Sequence, residues 1–327
     1  MSKGLLRKAP TCLQLFEKSV TNMLTPTLTH LPVNRAIRLR NVICPYCACD
    51  LTAKPVTKEH VLGRRFVPKG KLNGHWNLIV NACGPCNNRK ADLENDISAI
   101  TLHPEHGETH LDYDDAAKEE ALRKAAKAIS RRTKKPVKDS HENMKLHVPF
   151  GPNGKFSFNF TSPPQIDKDR AFELARLQLA GFFNWITYQQ DEERGYWWTG
   201  GYHPLIMVRR ADYGNKIIAD FADAVLEWEP RILGHTAEGF YRVCVRRHPG
   251  AECWSWAMEW NGSTRLVGFL GDREVVKVVV DRLGPLQMHH HDLGNGDFMR
   301  YRTEVPLADK DDKLFALPTG ATVPLTS

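Results

Sequence analysis

Residues able to do chemistry are concentrated between Cys44 and Asn95, in the run CPYCACDLTAKPVTKEHVLGRRFVPKGKLNGHWNLIVNACGPCNNRKADLEN. Two C-x-x-C pairs, Cys44/Cys47 and Cys83/Cys86, bracket a Glu59-His60 dyad, an Asn77 and a closing Asn87-Asn88-Arg89-Lys90. Four thiolates offered from two knuckles draw zinc into a closed tetrahedral site. Such a site staples a unit too short to build a hydrophobic core of its own. A redox-active C-x-x-C is the competing reading of either pair alone, and two copies at this separation favour metal. Cys49 offers a second spacing and stands as an alternative to Cys47.

The polar residues inside the knot distinguish it from a bare zinc ribbon. Glu59-His60, then Asn77 within WNLIV, then Asn87 within CNNRK occur in an order that resembles the HNH nuclease family, specifically its four-cysteine branch. The likeness spans about residues 41–100. It implies a ββα-metal unit in which His60 is the general base that deprotonates an attacking water. It implies that Glu59 and Asn87 hold one divalent cation through oxygen, which favours magnesium or manganese over zinc at this second site. That cation would stabilise the phosphate and the departing 3′ oxygen. Asn77 would fix the loop and orient His60, and Arg64, Arg65, Lys69, Lys71, Arg89 and Lys90 would clamp flanking phosphates.

Two positions depart from the family pattern. Glu59 replaces the usual Asp or His before the catalytic His, and Asn87 replaces the usual helix His. Asn88, Asp92 or Glu94 are candidates to complete the cation shell, and His75 is a rival base. The expected activity is hydrolysis of DNA phosphodiester bonds, by nicking or by double-strand cutting through a monomer or a homodimer. Nucleases of this make-up serve restriction, mobile elements or anti-phage defence, in some cases with other proteins of a multi-component system. The alternative is a non-catalytic zinc module that binds nucleic acid or protein.

The elements that must position these residues follow from periodicity. Residues 1–40 form a leader in which Leu13, Phe16, Val20 and Leu24 recur at helical spacing. Residues 41–102 hold the motif: a short strand carrying Glu59, His60 and Val61, a second strand over 76–80, and a helix from Cys83 to about Ile100 with Ala91, Leu93, Ile97 and Ile100 for its buried side. Residues 103–160 form a charged helical linker, with one helix from Asp114 to Lys135 broken by Pro136 and then a turn-rich stretch.

Residues 161–327 form an α+β domain with an antiparallel sheet that targets or regulates the nuclease. A helix capped by Asp167 or Asp169 presents Phe172, Ala175, Leu179, Phe182 and Ile186. Strands are predicted over 203–210, 239–247, 253–260, 265–270 and 275–280, and a helix over 217–227. Trp254, Trp256, Met258 and Trp260 share one strand face. His289-His290-His291 reads as a polar loop, and Tyr196-Trp197-Trp198 as core or a sheet-anchored loop.

Composition sets the outer bounds. The chain has 327 residues, eight cysteines and a formal charge of +7. The charge is compatible with a polyanionic partner. No secretory signal or uninterrupted apolar run of membrane-spanning length is present. A reducing, cytoplasmic setting without membrane contact is the expectation, with Cys244 and Cys253 reduced and buried.

Overall fold

The computed structural model describes residues 35–106, 115–150, 154–196, 200–285, 288–294 and 297–318. The leader helix expected at 13–24, Asp114, Trp197 and Trp198 lie outside these described residues. The architecture is α+β, with mostly antiparallel sheets.

The motif folds as strand, strand, helix. β1 (Ile37–Arg38) runs parallel to β3 (Leu78–Cys83), and β2 (Val56–His60) pairs antiparallel on the other side of β3. The register sets Glu59 opposite Val80 and His60 opposite Ile79. α1 (Gly84–Thr101) follows at once, with Cys83 as its N-cap and a proline in its first turn, where the missing N–H costs nothing. Leu93, Ile97 and Ile100 are buried as expected, while Ala91 faces solvent.

Two linker expectations need correction. α2 spans only Asp115–Lys127, because the chain turns after Ala128 into a tight loop in which Ser130 N donates to the Lys135 carbonyl and Lys134 takes φ 61°. The turn-rich stretch is a long hairpin of β4 (Glu142–Phe150) and β5 (Gly154–Ser162). Its KFSFNFTS alternation is a period-two strand signal that the surrounding Pro and Gly obscured.

α3 (Lys168–Ile186) starts where its cap predicts: the Asp167 carboxylate accepts from the N–H groups of Asp169 and Arg170. Five antiparallel strands then form the central sheet in the order β6-β10-β9-β8-β7. They are β6 (Gly201–Arg209), β7 (Glu229–Thr236), β8 (Tyr241–Arg247), β9 (Cys253–Trp260) and β10 (Thr264–Gly271). Asn261 and Gly262, at φ 52° and 62°, make the β9–β10 turn. Both central positions of a tight hairpin of this hand need positive φ, which Asn-Gly tolerates best.

α4 (Lys216–Val225) falls where a helix was expected. The valine run at 275–280 is α5 (Arg273–Val280) and not a strand. Its β-branched residues favour extended chain, but Asp272 caps the backbone N–H groups of Glu274 and Val275, and Val276 and Val279 bury one helical face. The histidine triplet is likewise not a loop: it begins β11 (His289–Gly294), which pairs with β12 (Asp297–Tyr301).

The sheet is covered on both faces, so β9 and β10 are buried along their whole length. On one face lie α4 and α5, through Ile218, Phe221, Val225, Val276 and Val279. On the other lie α3 and the strand–strand–helix motif, which pack against Trp254, Trp256, Met258 and Trp260. One hydrophobic core therefore runs from Leu39 in the motif to Leu270 in the sheet, across the boundaries drawn at 102 and 161. Phe66 meets Trp260 edge-on at 5.5 Å, and Trp76 meets Phe182 at 6.3 Å.

Hydrogen bonds join the same two regions. The Trp76 indole donates to the His235 carbonyl (2.7 Å), and the Thr236 hydroxyl donates to the Trp76 carbonyl (2.6 Å). Asn261 donates from the β9–β10 turn to the Phe66 carbonyl and to Thr101. No helix among the described residues is long and apolar enough to cross a membrane.

Candidate metal centre and active site

The first knuckle is shaped by backbone bonds: Ala48 N donates to Cys44 O and Cys44 N to Cys49 O, each at 2.9 Å, with Ala48 at φ 58°. A left-handed alanine costs about 1–2 kcal/mol, so the turn is held by what surrounds it. The second knuckle is the start of α1. The sulfurs of Cys44, Cys47, Cys83 and Cys86 lie within 4.8 Å of one another, and Cys47 Sγ is 3.7 Å from Cys83 Sγ. A zinc ion with Zn–S bonds of about 2.3 Å sets sulfurs roughly 3.8 Å apart along a tetrahedral edge. The donor set fits, and these four cysteines could hold a metal ion such as zinc. Cys49 stands outside the cluster, so the alternative spacing is not the one adopted. Burial works against the Cys83 thiolate, but hydrogen bonds from the Cys86 backbone and thiol pull it down to about 7, which favours the metal-binding form.

The other end of the motif is built on Asn77. Its side chain donates to the Leu62 carbonyl (2.7 Å) and accepts from Leu62 N (3.4 Å), tying the end of the loop to the residues just after His60. His60 is half-buried at the end of β2. Burial, with Arg64, Lys90 and Arg38 nearby, lowers its pKa below the ordinary imidazole value and keeps the ring neutral. Asn87 is half-buried in the first turn of α1.

Lys90 overturns its expected role. Its ammonium is fully buried, 2.8 Å from a Glu59 oxygen and 2.5 Å from a Glu94 oxygen, and it donates to the His60 carbonyl at 2.9 Å. A buried ammonium cannot reach a phosphate in solvent; here it is the internal counter-ion of two carboxylates. Burial opposes its charge, yet Glu94 and Glu59 together raise its pKa. Burial raises the Glu59 pKa in turn, with Lys90 opposing. Glu94 also accepts from Gly63 N at 3.0 Å, and a Cβ on Gly63 would run into that carboxylate. A side chain at 63 would therefore have to displace the Glu94 carboxylate from its place beside Lys90. The helical phase of Lys90 with Leu93 and Ile97 is the sequence signal that places it inside.

Glu94 and Asp92 are both engaged away from any cation shell. Asp92 pairs with Arg131 and Arg170, and Asp96 with Arg170. These arginines lock α1 to the 130–135 turn and to α3. The Lys124 amine is turned inward, donating to the Arg65 carbonyl and to Ser98.

Arg64, Arg65, Lys69 and Arg89 are exposed, and Arg89 pairs with Glu173. Lys71 is tied to Glu238 at 2.6 Å. His75 is half-buried on the loop before Trp76. A cavity of about 410 Å³ opens beside this loop, between Lys69, Lys71, Glu119, Glu120 and Arg123.

No protein-family model, curated protein or solved structure matches this chain.

Proposed function

We propose that the chain is a metal-dependent HNH-type endonuclease that hydrolyses phosphodiester bonds, with DNA as its substrate. The observation that carries this reading is the Asn77 clasp. It pins the segment that follows His60, and the four-cysteine cluster at the far end of β3 sets the start of the helix that bears Asn87. A bare zinc ribbon has no need of such a clasp beside an imidazole.

In this reading His60, held neutral, takes the proton from the attacking water. Its backbone is anchored by Lys90 through the carbonyl, and its loop by Asn77. Asn87 would hold a magnesium or manganese ion together with Glu59, whose carboxylate would have to exchange the Lys90 ammonium for it. One carboxylate oxygen and one amide oxygen suit a hard cation that keeps several waters. When bound, that ion neutralises charge on the phosphate and on the departing 3′ oxygen. Arg64, Arg65, Lys69 and Arg89, all exposed, would bind flanking phosphates.

One observation favours a second reading, a non-catalytic zinc module: Glu59 is already paired with Lys90. Incubation with supercoiled plasmid separates the two readings. A nuclease gives relaxed or linear product with magnesium or manganese and none with EDTA, and loses it in His60→Ala. Intact plasmid under every condition selects the module.

A further inference from the structure

The Glu59–Lys90–Glu94 cluster holds one more negative charge than its ammonium cancels, and its three members are not held alike. Among the described residues Lys90 is the one ion-pair partner of the Glu59 carboxylate, at 2.8 Å. A cation on that carboxylate therefore competes with the ammonium for its charge. Glu59 reaches Lys90 across from β2, and no second hydrogen bond anchors its carboxylate among the described residues.

Glu94 is anchored twice. It lies four residues beyond Lys90 on the same helix, 2.5 Å from the ammonium, and it also accepts from Gly63 N at 3.0 Å. The third acceptor of the ammonium, the His60 carbonyl at 2.9 Å, belongs to the backbone. Glu59 is thus the partner that can leave. The Glu59 side chain is 9% exposed and that of Lys90 0%, so the edge of the carboxylate is within reach of solvent and the ammonium is not. Asn87, Lys90 and Glu94 fall at i, i+3 and i+7 on α1 and so share one helical face. Leaving a buried ammonium with no charged partner is the costly step in any such exchange, because nothing then repays its desolvation. A second carboxylate already in contact with it removes that step.

We propose that Glu94 is a positioning residue for the cation: it retains Lys90 when Glu59 gives up the ammonium for a divalent ion. Lys90 is then a built-in competitor that occupies Glu59 until the exchange, and no buried charge stands alone at either stage. The choice of Glu59 as a ligand rests on the nuclease reading.

The test is manganese binding to the full, zinc-loaded chain, read by electron paramagnetic resonance as loss of the free-ion signal. Glu59→Gln sets the background from surface carboxylates, and the parent should bind above it. Glu94→Gln is close in shape and keeps an acceptor for the Gly63 N–H, so zinc content and thermal unfolding should stay near wild type. It should weaken manganese binding at least about 10-fold, because Glu59 is then the one charged partner left to the ammonium. Lys90→Met combined with Glu94→Gln removes the competitor and should restore binding to the parent level or better. Lys90→Gln, which can still donate to the His60 carbonyl, takes the place of Lys90→Met if that pair loses its zinc. Parent-level binding by Glu94→Gln overturns the proposal, as does a parent that binds no better than Glu59→Gln. Weak binding by both Glu94→Gln and the double variant, or loss of fold in Glu94→Gln, makes Glu94 a ligand or a scaffold residue and also overturns it. The full pattern in a protein that leaves plasmid intact would defeat the nuclease reading alone. Plasmid cutting by a protein whose manganese affinity ignores Glu94 would defeat the positioning role alone.

Discussion

The two ends of the motif solve the same problem with different chemistry. At one end, four sulfurs within 4.8 Å of one another offer a closed site for a metal. At the other, a buried ammonium sits between Glu59 and Glu94, and an asparagine side chain closes the loop after His60. The cysteine end would take its stability from an ion the protein must acquire. The Lys90 end carries its cation within the chain, where it needs no supply and cannot be chelated. The contrast implies that metal removal and charge deletion should break different parts of the molecule.

The largest effect should come from the cysteines. Structural zinc contributes on the order of 10 kcal/mol to folding in small zinc units. Replacing Cys86 with Ser should therefore abolish zinc retention and unfold the motif. Zinc content by mass spectrometry of the native protein, with amide exchange across 41–100, checks this; a variant with unchanged exchange would remove the metal from the account.

Next in size is Lys90→Met. It leaves two carboxylates buried without their counter-ion, at a cost of about 3–5 kcal/mol. Denaturant unfolding should show that loss with zinc content intact. Adding Glu59→Gln and Glu94→Gln to Lys90→Met should recover much of it, because no buried charge then remains.

The seam between the motif and the sheet should be sensitive to acid. His106 is buried, with ring nitrogens 3.0 Å from the Pro164 carbonyl and 3.1 Å from the Thr264 hydroxyl. Burial, aided by Arg209 and His103, pushes its pKa down from 6.5 to about 4. The unfolded chain therefore binds the extra proton between these values. Stability is full above pH 6.5 and declines as pH falls toward 4, by on the order of 3 kcal/mol. His106→Gln should flatten that part of the stability–pH curve, at whatever fixed cost the substitution brings. An unchanged slope would assign the acid sensitivity to other groups.

The smallest effect is expected at the surface. Arg89 is 65% exposed beside Glu173, so Arg89→Ala should change stability by less than about 0.5 kcal/mol. If Arg89 meets a phosphate, the same variant should reduce the salt dependence of DNA binding by about one ion.

Much of this arrangement was legible in the residues. The C-x-x-C spacing brought four sulfurs together, Asp167 capped the helix it preceded, and the Trp254–Trp260 alternation became the sheet face on which the motif rests. The misses share a cause. Lys90 reads as a phosphate contact by its charge, although its helical phase with Leu93 and Ile97 points inward. The valines of α5 read as a strand by residue type, although Asp272 supplies a helix cap. In both cases side-chain type outweighed position. The packing of the motif against the sheet was not legible at all, because contacts such as Trp76 with His235 join residues more than 150 positions apart.

The central claim is that His60 performs chemistry in a frame held by other residues. The most direct test is plasmid cleavage by His60→Ala, with zinc content and thermal unfolding measured on the same preparation. The account predicts wild-type zinc, wild-type unfolding and no metal-dependent cutting. A folded, zinc-loaded His60→Ala protein that cuts at the wild-type rate would contradict it.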